Sequence, residues 1–377
     1  MIFSRIYERY LAKQIYLAAL FILLAFVALF TFFDLLSALG DVGQAQYSAM
    51  IAAVYVGLQA PVHFYEILPL AALIGSIYVF AQLANHSEFT IFRLAGLSRS
   101  RALWSAVKIG LPIVLVTYLV GEFLGPYSAQ FAERLKLKAL GHTISTGFRS
   151  GLWVKDKVTQ SGQGNRFVNI HSLQPNGDIS GIDIFEFDEK FHLQSITQAS
   201  TAEYQTQGKW LLKDIKQTLF YTLNNQNVLM PAHKTQLQQL PTLSIASELT
   251  PQILQVLLVS PDRMALIDLF SYVRHLDKNK QDSLRYEIAL WKKIVYPLTV
   301  LVMMALALPF AYLHVRESSI GFKIFGGIVL GMSFHLVNSL FSHLGQMKGW
   351  FPPFVALLPA VCYLLLALLA LYWVERH

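Results

Sequence analysis

Residues 14–33 read QIYLAALFILLAFVALFTFF, a run without a formal charge. A helix rises 1.5 Å per residue, so this run covers the ~30 Å hydrocarbon core of a bilayer. It follows Arg5, Arg9 and Lys13. Its length exceeds the roughly 7–15-residue apolar core of a cleaved leader, so it reads as a retained span. Five further apolar runs lie at Ala52–Gln82, Ala102–Leu124, Ile294–Tyr312, Ile324–Leu344 and Phe354–Trp373. Three runs stand before, and three after, one polar stretch from Pro126 to Tyr286. The expected organisation is a membrane half (1–125), an inserted outer domain (126–260), a connector (261–286) and a second membrane half (287–377).

Composition agrees. Of 377 residues, 54% are hydrophobic and only 14% charged, against about 25% charged in soluble domains. The net charge of +7 sits mostly at span ends, which argues against a nucleic-acid partner. With the N-terminus inside, the short inner segments hold Arg5, Arg9, Lys13, Arg93, Arg99, Arg101, Arg316, Lys323 and Arg376, while the short outer loops hold only Lys348. That bias places both termini on the cytoplasmic side and the insert on the other. The single Cys362 lies within an apolar run, so no intrachain disulfide and no thiolate metal site is expected. Pro61, Pro69, Pro297 and Pro309 fall in or beside the spans, where neighbouring helices can satisfy the freed carbonyls.

The insert reads as β structure. Arg166–Leu173, Ile179–Phe187 and Trp210–Tyr221 mix alternation with β-branched and aromatic residues, and Pro175-Asn176-Gly177-Asp178 forms a hairpin-type turn. A sandwich or an open barrel-like sheet is expected. Asn224–Pro251 takes no assignment. Ser260-Pro261-Asp262 marks a helix start, and Leu266, Ile267, Phe270, Val273 and Leu276 give that helix an apolar face leading to the fourth span.

Between spans two and three lies NHSEFTIFRLAG (85–96). Ser87 is a good N-cap, Glu88 suits the first turn, Arg93 the last, and Gly96 the left-handed position beyond it. A short capped helix with Phe89 and Phe92 exposed would present itself to a partner; the alternative is a helix resting on lipid headgroups. No G-x-x-x-x-G-K-[ST] occurs, so nucleotide phosphates are not cradled in a P-loop here. His63 with Glu66, and His335 with Ser339, are ionisable or polar groups at membrane depth. Neither set has the further ligand a metal requires, nor the third member of a hydrolytic triad. Gly326, Gly327 and Gly331 allow close helix approach.

From Pro69 the chain reads PLAALIGSIYVFAQLANHSEFTIFRLAGLS, and the insert opens with Gly151-Leu152-Trp153-Val154-Lys155-Asp156. Arg285-Tyr286, Trp291, Lys293, Pro297, Val302-Met303-Met304 and Pro352-Pro353 follow. These stretches resemble the lipopolysaccharide export permeases of the LptF/LptG family over nearly the whole chain, and the Ser-Glu loop and GLW-K-D stretch lean to its LptG branch. The resemblance implies six transmembrane helices with a periplasmic β-jellyroll-like domain in the bacterial inner membrane. It implies a non-catalytic subunit without cofactor, paired with LptF, driven by an LptB dimer that binds the ATP, and joined to LptC and LptA through jellyroll edges. Ser87, Glu88, Phe89, Phe92 and Arg93 would form the helix that couples to the ATPase. Lys136 and Lys293 would meet lipid phosphate, and Gly327 and Gly331 would border the lipid gate. Where the family often has lysines after the first span, this chain has Asp34 and Asp41. The phosphates are then read elsewhere, or these acids meet a divalent cation or bases on the partner. The alternatives are the LptF paralogue, a non-transporting envelope scaffold and a lipid-modifying membrane enzyme.

Overall fold

The computed structural model describes residues 6–140, 151–157, 164–173, 178–205, 208–223, 232–247, 249–251, 254, 260–312 and 320–376. Arg5, Arg316 and the Pro175–Gly177 part of the expected turn lie outside them. Ten α-helices occur among the described residues: α1 (Ile6–Leu39), α2 (Ala49–Asn85), α3 (Glu88–Leu94), α4 (Arg99–Leu119), α5 (Gly125–Ala139), α6 (Leu266–Lys278), α7 (Leu284–Val295), α8 (Thr299–Ala307), α9 (Ile320–Lys348) and α10 (Pro352–Arg376). Six stretches are long and apolar enough to cross a membrane. They make this a multi-pass membrane protein with an inserted β domain.

The helices outlast their apolar runs. With 37 residues, α2 is about 55 Å long and so projects beyond a bilayer. It starts at Ser48, whose side chain accepts the Ile51 amide. The other spans gather around it: α1, α5, α8 and α9 all pack on α2. In its most apolar window 83% of residues are buried, against 17% for α1, so α2 is the axis and α1 a peripheral helix. Close approach is bought with small residues; a Cβ on Gly75 would stand 2.7 Å from the Ala19 backbone nitrogen of α1. The membrane core then fills with Ile15, Leu73, Ile77, Val300, Met303 and Met304.

The prolines act where the backbone departs from α geometry. Pro297 and Pro309 sit in 3₁₀ turns, Tyr296–Leu298 and Leu308–Ala311, so the fourth span is segmented as α7, turn, α8, turn. Pro69 cannot donate to the Tyr65 carbonyl. In the same loosened turn of α2 the Tyr296 hydroxyl donates to the Glu66 carbonyl at 2.5 Å. A π-helical turn, Val120–Leu124, joins α4 to α5.

Six antiparallel strands form one sheet in sequence order: β1 (Leu152–Lys157), β2 (Asn165–Leu173), β3 (Ile179–Phe187), β4 (Leu193–Gln205), β5 (Lys209–Leu223) and β6 (Ala232–Ala246). β6 falls within the unassigned stretch Asn224–Pro251, and its Pro241 is tolerated because, among the described residues, β6 is an edge. In a flat sheet β2 and β6 would lie about 19 Å apart, four spacings of ~4.8 Å. Instead, Arg166 of β2 donates to the Ala246 carbonyl at 2.8 Å. The sheet is therefore strongly curled, an open roll around Val168, Ile170, Ile182, Ile184, Leu212 and Ile215.

One expected element shifts. Ser260 makes no side-chain cap, and Pro261–Arg263 is a single 3₁₀ turn. The amphipathic helix starts at Leu266, and a carboxylate from elsewhere in the fold serves its first amide.

Candidate functional site

The loop between α2 and α4 folds as α3, at the end of the membrane unit remote from the sheet. Gln46 donates to the Ala139 carbonyl, so the start of α2 and the end of α5 share one end and α3 occupies the other. Ser87 stands at the N-cap position with φ +60 and makes no side-chain cap; the capping expected of its hydroxyl is not seen. Its carbonyl accepts the Ile91 amide. The far end closes as a Schellman motif: Leu97 donates to the Phe92 carbonyl, Gly96 to the Arg93 carbonyl, and Gly96 has φ +94, a conformation glycine takes without strain.

The two phenylalanines expected on the surface turn inward. Phe89 is 2% exposed, with its ring edge-on to Tyr312 at 4.9 Å and to Phe80 at 6.4 Å. Phe92 packs partly buried on the same core and tilts against Tyr7. Arg93 lies over the Tyr312 ring. Glu88 accepts the Tyr10 hydroxyl of α1 at 2.9 Å. Phe89 and Phe92 anchor α3 because burying two aromatic rings outweighs anything a seven-residue helix gains alone. The face left bare carries Ile91 (61% exposed) and Leu94 (84%).

On the membrane unit, two adjoining pockets of about 340 and 260 Å³ form one lateral cleft between α2, the fourth span and α9, with Phe30 of α1 at its side. They share Glu66, Tyr296, His335 and Asn338. The larger part is apolar, with Leu70, Met303, Met332 and Leu336; the smaller adds Tyr65, Asp262, Lys292 and Ser339. Such a cleft matches an amphiphile whose chain and headgroup need different surroundings. Gly331 lines the apolar part, where a Cβ would meet Leu70 Cδ1 at 2.1 Å, and on Gly327 one would meet Ile77 Cδ1 at 2.5 Å. Both glycines set the α9–α2 contact.

The acids that lacked bases in sequence find them within this chain. Asp34 pairs with His63 Nε2 at 2.6 Å, and Asp41 with Lys136 at 2.8 Å. Asp41 thus has a cation within this chain and Asp34 a hydrogen-bonding imidazole. Lys136 also lies 5.2 Å from the Tyr55 ring centroid. Lys293 is buried, lines the polar part of the cleft and donates to the Met264 carbonyl. Its half-buried neighbour Lys292 pairs with Asp262 at 3.0 Å.

Glu122 stands near the end of the third apolar run. It is 7% exposed, within the π turn, and accepts the Leu266 amide at 2.9 and 3.1 Å. The signal was present: an acid inside an apolar run is a functional candidate on its cost alone. Glu8, ahead of the first apolar run, is also buried, 2% exposed and bonded to Ser105 and Lys108 of α4.

The start of the roll explains its motif. Gly151 has φ +78, and a Cβ there would strike Asn169 at 2.3 Å. Trp153 stacks on Phe185, and Asp156 faces Arg166 at 3.7 Å.

A helical membrane unit with a lateral amphipathic cleft, a loop helix at one end and a β roll at the other defines a multi-pass membrane protein with an inserted β domain. The chain belongs to the lipopolysaccharide export system permease LptF/LptG family, whose profile matches residues 9–373. It is 31% identical over 364 residues to the lipopolysaccharide export system permease protein LptG of Escherichia coli K12, covering 96% of each chain. To LptG of Haemophilus influenzae it is 28% identical over 360 residues, covering 95% of this chain and 96% of that one. Membership places it in the inner membrane, within a complex of export components.

Proposed function

We propose that this chain is the LptG-type permease subunit of an ATP-driven lipopolysaccharide exporter. It takes lipopolysaccharide from the outer leaflet of the inner membrane and passes it toward a periplasmic β bridge. It works beside an LptF-type permease, with an LptB-type ATPase dimer on the cytoplasmic face supplying ATP hydrolysis and no cofactor of its own. LptC and LptA continue the route through sheet edges, since an open roll offers unpaired main-chain groups for strand addition. Both termini are cytoplasmic and the roll is periplasmic, as the basic residues of the short segments indicate.

The observation that carries this reading is the cleft, apolar at one part and polar at the other, in a chain with no nucleotide loop. Each acyl CH₂ withdrawn from the bilayer must find an equally apolar wall or cost about 0.8 kcal/mol. Leu70, Met303 and Met332 provide such a wall. Lys136 and Lys293 are the proposed phosphate contacts, Lys136 by exchanging Asp41 for the lipid and Lys293 from the polar part of the cleft that it lines. Gly327 and Gly331 let α9 shift against α2 as the gate works. Glu88, Phe89, Phe92 and Arg93 hold α3 in place, with Ser87 as the hinge into it, and Ile91 and Leu94 enter the ATPase groove.

The test is copurification of wild-type and Glu88→Ala chains with the ATPase, followed by lipopolysaccharide-stimulated ATP hydrolysis. Wild-type association with stimulated hydrolysis is expected, with weakened coupling in the variant. A wild-type chain that binds no ATPase would put the scaffold reading in its place.

A further inference from the structure

Residues 262–268 lie between the β roll and the fourth span, and their anchors reach α2, the π turn, α5 and α7 of the membrane unit. Asp262 pairs with Lys292 of α7. Arg263 donates to Gln59 of α2 at 3.4 Å. The Met264 carbonyl takes the Lys293 ammonium of α7. Leu266 donates its amide to Glu122 in the π turn. Asp268, raised above its usual value chiefly by burial and next by Glu122, is bonded by Gln130 of α5. Beneath these bonds Met264, Leu269 and Ala289 form an apolar cluster with Tyr286 and Leu290 packed on it.

Glu122 is the member that a merely tidy packing would not contain. Both its oxygens address one backbone amide at the first residue of α6, where the helix dipole favours negative charge. The carboxylates that act on Lys293 are Glu122, Asp268 and Asp262. Glu122 and Lys293 are both buried, so removing the Glu122 carboxylate leaves the Leu266 amide and the buried ammonium short of a compensating charge. On the roll side, Leu254 is fully buried in the core of the sheet, only a few residues before Asp262. A displacement of the third or fourth span reaches the roll where α6 borders it, at a pocket lined by Tyr204, Gly208 and Ser247 of the roll and Phe270, Arg274 and His275 of α6.

We propose that Glu122 is a positioning residue that locks α6 to the third and fourth spans, so that movement of those spans is delivered to the β roll. The proposal rests on the transport reading given above for its consequence, but the lock itself is a separate matter of geometry. When the spans close on the cleft, α6 travels with them and the roll is turned toward the emerging lipid. Without the carboxylate the spans move and α6 lags.

The experiment uses the full permease pair with its ATPase in lipid nanodiscs and two readouts. In a Cys362→Ser background, spin labels at Ile267→Cys and Phe131→Cys, both on exposed positions, report the distance between α6 and α5. Separately, lipopolysaccharide released to a soluble acceptor is counted per ATP hydrolysed. Wild type should give one narrow distance distribution, with or without nucleotide. Glu122→Ala should broaden it and lower release per ATP about tenfold, while hydrolysis changes less than twofold. Glu122→Gln, which keeps an acceptor for Leu266, should restore most of both. A Glu122→Ala distribution as narrow as wild type overturns the proposal. So does a parallel fall of release and hydrolysis, the mark of a purely structural role. If wild type releases no lipopolysaccharide, the transport reading fails, and the distance distributions alone decide the lock.

Discussion

Lys136 closes on Asp41 at 2.8 Å from the far end of a different helix, so a charge that sequence left unbalanced is paired inside the chain. Both side chains keep about a third or a quarter of their surface exposed, and a pair of that kind contributes roughly 0.5 kcal/mol after screening. Such a bond is weak enough to exchange. Asp41→Asn should therefore strengthen binding of lipopolysaccharide by several-fold by freeing the ammonium, while Lys136→Gln weakens it. Lipid affinity measured in detergent for both variants checks this, and equal affinities would remove Lys136 from the phosphate contact.

The inward and outward faces of α3 should separate cleanly. Phe89→Ala is expected to cost about 3 kcal/mol or more through the cavity it leaves, visible as a lowered Tm of the purified chain. Leu94→Asp, at a position 84% exposed, should leave Tm within a degree or two and abolish copurification with the ATPase.

Two glycines of α9 make a graded series. Nothing lies within 4 Å of a Cβ on Gly326, so Gly326→Ala should stabilise by up to about 1 kcal/mol through helix propensity. Gly331→Val must displace Leu70 and should destabilise by about 1–3 kcal/mol. Adding Leu70→Ala to Gly331→Val should recover much of that loss. Thermal unfolding of the three variants measures the order.

Asp188 gives a pH-dependent turn. The His192 amide is the first cause that lowers its carboxyl pKa, with the His192 ring and the Lys190 amide adding to it and burial opposing. A depressed folded value means that the turn's stabilisation is complete above roughly pH 4, the ordinary Asp value. It is lost as pH falls through the lower folded value. Hydrogen exchange at the Lys190 and His192 amides, corrected for intrinsic rates, should show protection at pH 6 that Asp188→Asn lacks.

The spans were legible because a ~30 Å apolar thickness imposes a length on any helix that crosses it. Their true ends were not, since backbone hydrogen bonding continues past the last apolar residue; α1 runs from Ile6 to Leu39 around the run at 14–33. For α3, the spacing of Phe89 and Phe92 revealed a shared face but not which way it pointed. Direction depends on Tyr312 and Phe80, which come from other helices. The bases for Asp34 and Asp41 were hidden for the same reason, because His63 and Lys136 approach from α2 and α5. β6 escaped notice because an edge strand has one wet side and tolerates Gln and Pro among its leucines. Glu122 was visible as an anomaly in an apolar run, yet its purpose could be read only once Leu266 was seen to face it.

The π turn at Val120–Leu124 sets the phase of everything after it. In an α-helix each residue turns the chain by about 100°, so deleting a single residue between 120 and 124 would swing the whole of α5 by over a quarter of a revolution. Gln130 would then point away from Asp268, and Lys136 away from Asp41. One irregular turn of backbone thus times two distant polar contacts and the capping of a third element, which makes it the clockwork of this half of the molecule.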